Sequence, residues 1–294
     1  MIVADTVDTA PVLAHDVVTT ASAAGDVVAV FVHGILGSRG NWKSFARRFV
    51  ERVPAATAIL VDLRHHGESH GFSEPDTVVA AADDIAAVCA HLQLQPTLLV
   101  GHSWGGKAVL ELGLRAGTSV TDIVVVDSPP GIRTFTQTSG GVPAVRGEIE
   151  RVIEALESLP PGLARDRKHL VEQLVQRGLS NPIAQWMTTN LTPLPQPTAD
   201  GLGFVFKFSL PAVRRMLLDY GRTDFWPQIA AHHGLPRLHT VRGARSDRWS
   251  TDEQERLMAA VAAGTVRDHV LPTGHWVHTE DPDGLLAIVV DVVD

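Results

Sequence analysis

One serine lies in a pattern of glycines that is typical of a catalytic nucleophile. Ser103 is the central residue of segment 101–105 (GHSWG), which follows the apolar run Thr97–Val100 and precedes a helical stretch. A serine at the tip of so tight a strand-to-helix turn exposes its hydroxyl, and flanking glycines remove side chains that would collide there. The helix that begins at Trp104 directs its positive end to the same place. The pattern predicts that Ser103 attacks an acyl carbon.

A serine hydroxyl needs a base that takes its proton. In the chain order typical of this motif, the histidine comes last. His275 lies in a loop after the strand-like run Val266–Leu271, and His278 follows three residues later. His269 lies within that run, where a structural role is expected, and His278 is expected at the surface or at a helix start. We therefore expect His275 to be the base.

Two aspartates could orient this histidine. Asp247 lies in the loop after the strand-like run Arg237–Arg242, 28 residues before His275, and Asp127 ends the run that follows the nucleophile helix. A carboxylate at either place would hold one imidazole tautomer and stabilise the imidazolium. We expect Asp247 to be the acid, with Asp127 as the alternative.

The tetrahedral intermediate needs donors for its oxyanion. Segment 33–38 (HGILGS) follows the first core strand, so its backbone N–H groups can point into the site. The expected donors are the backbone N–H groups of Ile35 and Trp104. His33 is expected to hold this loop through hydrogen bonds rather than to act as a second base.

The composition excludes several other kinds of chemistry. The chain has 294 residues, of which 45% are apolar, and 25 basic against 33 acidic residues give a net charge of −8. Without clustered Lys and Arg, no nucleic-acid or anionic-membrane surface is expected. Cys89 is the one cysteine, so an internal disulfide and cysteine-based metal sites are excluded.

The 14 histidines raise the question of a metal site. The pairs His65-His66, His66/His70 and His232-His233 have no acidic partners at ligand spacing. We expect no metal and no cofactor, and the expected partner is a small acyl ester or thioester.

The acidic start of the chain does not resemble a signal peptide, and the longest apolar runs are too short to span a membrane, so the expected location is cytoplasmic. The oligomeric state stays open.

Short Val/Ile/Leu-rich runs alternate with helical stretches over residues 26–127 and again from residue 237. This alternation predicts an α/β fold with a mostly parallel sheet and helices on both faces. The run Val12–Thr20 predicts an antiparallel edge strand. Residues 128–236 contain no convincing buried strand; they offer helical stretches at 145–157 and 163–177, and a run at 204–208 that fits a strand or a turn. We predict an α/β core of residues 1–132 and 236–294, with a helical cap insertion of residues 133–235.

Four segments together resemble the α/β-hydrolase superfamily: 33–38 (HGILGS), 62–69 (DLRHHGES), 101–107 (GHSWGGK) and 274–278 (GHWVH). They are similar to a branch of small bacterial serine esterases with the patterns GHSMGGK and DxRNHGxS. The resemblance implies a cap over the active site, with pocket walls drawn from its aromatic residues: Trp186, Phe204, Phe206, Phe208 and Trp226. Trp104 replaces the usual Met, which implies a narrower pocket floor. Some members use an acid that matches Asp127 and lack one that matches Asp247, so the resemblance leaves this choice open.

These residues predict a serine hydrolase that cleaves a carboxylic ester or thioester through an acyl-enzyme. An acyltransferase, a C–C bond hydrolase or a perhydrolase would use the same triad, and a ligand-binding or signalling protein could retain it. A haloalkane-type dehalogenase is disfavoured because it requires a carboxylate in place of Ser103.

Overall fold

A seven-stranded sheet forms the centre of the fold in a computed structural model, which describes residues 11–20, 26–115, 117–133, 147–159, 163–199, 201–234 and 236–294. The strands, in chain order, are β1 (His15–Thr19), β2 (Val27–Val32), β3 (Ala56–Val61), β4 (Leu98–His102), β5 (Asp122–Val126), β6 (Leu163–Ala164), β7 (Leu191–Pro193), β8 (Phe204–Phe206), β9 (Arg237–Gly243) and β10 (Val266–Leu271). The large sheet has the order β1-β3-β2-β4-β5-β9-β10. β1 pairs antiparallel with β3, and the other neighbours are parallel. The predicted α/β fold is confirmed.

Helices cover both faces of this sheet. They are α1 (Lys43–Arg52), α2 (Val78–Leu92), α3 (Trp104–Gly113), α4 (Glu148–Glu157), α5 (Arg167–Gln176), α6 (Asn181–Thr188), α7 (Leu210–Arg222), α8 (Trp226–Ala231), α9 (Thr251–Ala262), α10 (Val277–Glu280) and α11 (Pro282–Val293). Within the described ranges, none of them is long and apolar enough to cross a membrane.

The apolar strands divide their side chains between two cores. Val30 and Val32 of β2 lie in the core that α2 and α3 cover, whereas Ala29 and Phe31 lie in the core beneath α1 and α11. Successive side chains of a strand point to opposite faces, so a strand covered on both faces must be apolar at every position. This requirement explains the continuous Val/Ile/Leu runs of the sequence.

The chain between β5 and β9 lies outside the large sheet. It contains α4 to α8 and a small antiparallel sheet of the order β6-β8-β7. The run at 204–208, which fitted a strand or a turn, contains the strand β8, and β6 and β7 were not expected. The predicted helix at 163–177 begins as a strand at Leu163, and α5 starts only after Asp166, whose side chain accepts a hydrogen bond from the backbone N–H of His169 at 2.8 Å.

The division into a core and a cap at residues 133 and 235 stays a prediction. Parts of both units lie outside the described residues: 1–10, 21–25 and 116 of the core, and 134–146, 160–162, 200 and 235 of the cap. The predicted helix at 145–157 is described from Glu148 onward as α4.

Helix α3, which follows Ser103, is tied to the segment between β5 and β9 (residues 127–236), called the inserted segment below. The indole N–H of Trp104 donates to the carbonyl of Met216 in α7 at 2.9 Å. The Lys107 ammonium is buried and donates to the carbonyls of Gly131, Tyr220 and Thr223 at 2.7–2.8 Å. Burial lowers the pKa of Lys107 to about 7, and three acceptors satisfy the three donors of its ammonium. These bonds hold α7 against the helix that follows Ser103.

Candidate active site

Ser103 lies between β4 and α3 in a strained backbone conformation. Its φ is 52° and its ψ is −119°, a region that costs a non-glycine residue on the order of 1–3 kcal/mol. A Cβ on Gly101 would collide with the carbonyl of Gly105, and one on Gly105 would collide with the carbonyl of His33. The two glycines therefore permit the turn that exposes the Ser103 hydroxyl.

His275 reaches this hydroxyl from the loop after β10. Its Nε2 lies 3.1 Å from Ser103 Oγ, and its Nδ1 lies 2.6 Å from Asp127 Oδ2. The Nδ1–H therefore donates to the carboxylate, which leaves Nε2 free to accept a proton from the serine. The sequence-predicted nucleophile and base lie together, and the carboxylate beside them belongs to the aspartate expected only as the alternative.

Asp127 is held by donors from the end of β9 and from the loop that follows it. Its carboxylate accepts hydrogen bonds from Ser246 Oγ at 2.6 Å, from Trp249 Nε1 at 3.1 Å and from the backbone N–H of Gly243 at 3.2 Å. Burial raises the pKa of Asp127, and the bonds from Ser246 and Gly243 oppose that rise. These partners satisfy a carboxylate that is 1% exposed.

The preference for Asp247 as the acid is corrected by this geometry. The Asp247 side chain is 71% exposed, and its carboxylate lies 3.4 Å from Arg248 Nε. Ser246 and Trp249 both turn toward Asp127, so the residue that follows Ser246 faces solvent. The loop that was expected to supply the acid instead supplies donors to the carboxylate of Asp127.

The surroundings of His275 favour a neutral imidazole. Burial lowers its pKa well below the usual value, and the positive charges of Arg248 and Arg133 lower it further. His102 Nε2 donates to the carbonyl of His275 at 2.9 Å, which fixes the loop. A neutral imidazole at rest is the form that can act as a base.

Two other histidines hold the loop expected to form the oxyanion hole. His33 Nε2 accepts from the backbone N–H of Leu63 at 3.0 Å, and its Nδ1–H donates to the carbonyl of Gly34 at 2.7 Å. His66 Nε2 accepts from the backbone N–H of Leu36 at 3.1 Å. Burial lowers the pKa of His33 to about 4 and that of His66 to about 3. The expected role of His33 agrees with these bonds. The bond from this loop to His66 was not predicted from the sequence.

The candidate oxyanion donors lie beside the nucleophile. Ile35 and Trp104 line the same pocket as Ser103 and His275. A Cβ on Gly34 would lie 3.0 Å from Ser103 Cβ, so the backbone of this loop runs directly past the serine. Both positions predicted from the sequence are thus at the site.

The inserted segment supplies one wall of this pocket. About 770 Å³ of space free of protein atoms, including the opening, lies above Ser103, and its lining includes Ile149, Val152, Ile183, Trp186, Leu217 and Tyr220. Three charged residues, Arg133, Glu148 and Arg248, also line it. These charges were not predicted, because nothing in the local sequence pattern marks them.

Of the five aromatic residues proposed for the pocket wall, Trp186 is the one that lines it, with its ring 4.6 Å from that of Trp276. The other four were expected in this wall but do not line the pocket, and they contact other side chains instead. Phe206 stacks on Phe208 with 4.9 Å between ring centroids, and Phe204 lies 5.8 Å from the guanidinium of Arg167. Trp226 donates to Glu253 at 3.1 Å.

The histidine pairs considered as metal ligands have other neighbours. His65 Nε2 lies 2.7 Å from Asp76 Oδ1, and His232 Nε2 donates to the carbonyl of Pro236 at 2.7 Å. In the part of the chain that the structure describes, no group of three or more His, Cys, Asp or Glu side chains is placed to hold a metal ion.

Comparison with known proteins identifies the family of this chain. The model of the alpha/beta hydrolase family matches residues 29–288. The mouse sn-1-specific diacylglycerol lipase ABHD11 is 29% identical over 88% of this chain and 78% of its own length. A putative esterase/lipase of Haemophilus influenzae is 26% identical over 89% of this chain and 81% of its own. Among solved structures, a marine microorganism esterase aligns with a TM-score of 0.74 over 96% of this chain and 100% of its own, at 19% identity.

Proposed function

The chain belongs to the alpha/beta hydrolase family, and from that premise we propose that it is a serine hydrolase of the carboxylesterase type. Its substrate would be a carboxylic ester or thioester, cleaved through an acyl-enzyme. The observation that carries this proposal is the hydrogen-bonded series Ser103–His275–Asp127 at the floor of one pocket. The names of the mouse lipase and the Haemophilus esterase/lipase support the same reaction class.

In the acylation step, Ser103 Oγ attacks the acyl carbonyl carbon while His275 Nε2 takes the hydroxyl proton. The backbone N–H groups of Ile35 and Trp104 stabilise the oxyanion. When the tetrahedral intermediate collapses, the bond to the leaving alcohol or thiol breaks, and His275 returns the proton to that group.

In the deacylation step, a water attacks the acyl-enzyme, and His275 removes its proton. The bond to Ser103 Oγ then breaks, the serine regains its proton from His275, and the carboxylic acid leaves. An alcohol that replaces water at this step would make the reaction an acyl transfer with the same residues.

We assign the role of the acid to Asp127. Its contact with His275 Nδ1 at 2.6 Å would stabilise the imidazolium that forms in both steps. Because Ser246, Trp249 and Gly243 donate to it, the carboxylate is kept in one orientation. The exposed Asp247 carries no part of this mechanism.

A fluorophosphonate probe and a short ester test the proposal together. We expect covalent labelling of Ser103, identified by peptide mass spectrometry, and a burst of 4-nitrophenol from 4-nitrophenyl butyrate. Ser103→Ala should abolish both. Ser119→Ala, an exposed serine at the opposite edge of the sheet, is the matched control and should retain both. A folded wild-type protein that shows neither labelling nor ester cleavage would contradict the proposal, and ester product formed with an added alcohol would indicate acyl transfer.

A further inference from the structure

The guanidinium of Arg248 lies buried in the wall of the proposed active-site pocket. The side chain is 7% exposed and lines the same pocket as Ser103 and His275. Among the described residues, its Nε has no hydrogen-bond partner. A guanidinium carries five N–H donors, and a buried donor without a partner is costly. The described residues therefore leave this guanidinium of the pocket wall incompletely paired.

The two carboxylates near Arg248 do not fill that position. Asp247 Oδ1 is 3.4 Å from Nε without the geometry of a hydrogen bond, and Asp247 is 71% exposed. Glu148 Oε2 lies 4.0 Å from Arg248 Nη2, at the limit of an ion pair. Solvent screens an exposed carboxylate, so neither residue replaces a direct acceptor in the pocket.

Arg248 is also held in place relative to the reacting groups. Its backbone N–H donates to Ser246 Oγ at 3.3 Å, and Ser246 donates to Asp127. The next residue, Trp249, donates to Asp127 as well. The guanidinium therefore projects from a turn whose two flanks are bound to the proposed triad acid.

A second cation lines the same pocket. Arg133 and Arg248 both lower the pKa of His275 through their charges, so both act across the site on the base. Glu148 is the acidic residue among the pocket's charged lining beyond Asp127. The cationic side of the pocket favours a substrate group of negative charge.

We propose that Arg248 binds a carboxylate of the substrate, so that the preferred ester or thioester carries a carboxylate in addition to the bond that is cleaved. The inference rests on the proposed hydrolase function and adds the substrate class. A carboxylate matches the planar fork of a guanidinium with two parallel hydrogen bonds.

Matched pairs of esters test this inference. In the first pair, the acyl half carries the charge: mono-4-nitrophenyl glutarate against neutral 4-nitrophenyl valerate. In the second pair, the leaving half carries it: 4-acetoxybenzoate against its methyl ester. We expect the wild-type protein to favour the charged ester in at least one pair, by about 10- to 100-fold in kcat/KM, the range for hydrogen bonds to a charged group.

Arg248→Gln should bring the ratio of kcat/KM within that pair close to one, and Arg248→Lys should retain part of it. Because Arg248 also lowers the pKa of His275, kcat/KM is measured for each variant at the plateau of its pH profile. A change in the base alters kcat/KM of both esters alike and cancels in their ratio. Arg256→Gln removes the same charge from α9, outside the residues that line the pocket, and should leave the ratio unchanged.

A measurement on the wild-type protein tests the inference even if Arg248→Gln does not fold. Glutarate should inhibit cleavage of 4-nitrophenyl valerate competitively and at least about tenfold more strongly than neutral glutaramide. Equal inhibition, equal rates within both ester pairs, or a ratio unchanged in Arg248→Gln would overturn the inference while neutral esters are still cleaved. Failure of every ester together with no labelling of Ser103 would instead contradict the hydrolase function.

Discussion

Two loops at the carboxyl edge of neighbouring strands, the one after β5 and the one after β9, each carry an aspartate, but only one carboxylate enters the site. Asp127 is the first residue beyond β5, is 1% exposed and contacts His275. Asp247 lies four residues beyond the end of β9 and is 71% exposed. A residue directly at a strand end stays at the sheet edge, where the sites of open α/β sheets form, whereas a longer loop can turn its carboxylate to solvent.

The β9 loop nevertheless takes part through other residues. Its Ser246 and Trp249 donate to Asp127, as does the backbone of Gly243 at the end of β9. Arg248 of the same loop lines the pocket. In the proposed triad, the β5 loop therefore supplies the acid, and β9 with its following loop supplies the donors that hold it. The position of a carboxylate in the chain order is therefore insufficient to identify the residue beside the histidine.

Substitution of the two aspartates should have the largest effect. Asp127→Asn should lower kcat by about 10⁴-fold, because an amide cannot stabilise the imidazolium and favours the wrong tautomer. Asp247→Asn is the matched control, with kcat expected to remain within about threefold since an exposed charge acts weakly. Steady-state hydrolysis of 4-nitrophenyl butyrate measures both, with thermal unfolding as the check on folding. The reverse order of losses would return the role to Asp247.

Removing one donor of the β9 loop should have an intermediate effect. Trp249→Phe keeps an aromatic ring 5.6 Å from the Arg242 guanidinium but removes the N–H that binds Asp127. We expect kcat to fall about tenfold, since a hydrogen bond to a charged group contributes about 1.5 kcal/mol or more.

Trp226→Phe provides the matched control for this donor. It deletes an equivalent N–H that binds Glu253, and neither residue lines the pocket. We expect kcat to stay within about threefold because the lost bond does not reach His275 or Asp127, with thermal unfolding as the check on folding. Equal losses in the two variants would show that the bond to Asp127 carries no special weight.

The smallest effect concerns the pH dependence that the two loops impose on the base. His275 must be neutral to accept the serine proton, and its pKa is lowered by burial, Arg248, Arg133 and His278, in that order. Activity should therefore persist below the usual pKa of histidine and be lost only as the pH falls through the lowered value. Asp127 and His102 also face the imidazole.

Removal of a cation should move this acid limb of the kcat/KM profile to higher pH. We expect Arg248→Gln on the β9 loop to move it further than Arg133→Gln after β5, following the order of their effects on His275. The profile of a neutral ester, measured for both variants and the wild-type protein, provides the comparison. A limb that stays in place in Arg248→Gln would contradict the electrostatic account.

Several parts of the molecule could be predicted because local sequence decides them. The doubly covered strands need continuous apolar runs, so β2 to β5 and β9 to β10 were recognisable. Ser103 was recognisable because its turn needs glycines on both sides, and His275 because it follows the last strand. In the structure, His275 Nε2 lies 3.1 Å from Ser103 Oγ. These features depend on steric and hydrophobic requirements that a short segment expresses alone.

Other parts were decided only by tertiary structure. The choice of Asp127 over Asp247 depends on the direction of a loop relative to its neighbour, and the burial of Arg248 beside His275 depends on the packing of the inserted segment. The strands of the small sheet and the placing of Trp186 rather than Phe204 in the pocket depend on the same packing. Local sequence was enough to identify the candidate catalytic residues and the core strands, because a tight turn and a doubly covered strand each require particular residue types within a short segment. Contacts between distant segments decided which aspartate contacts His275, which charged residues line the pocket and which side chains form its wall.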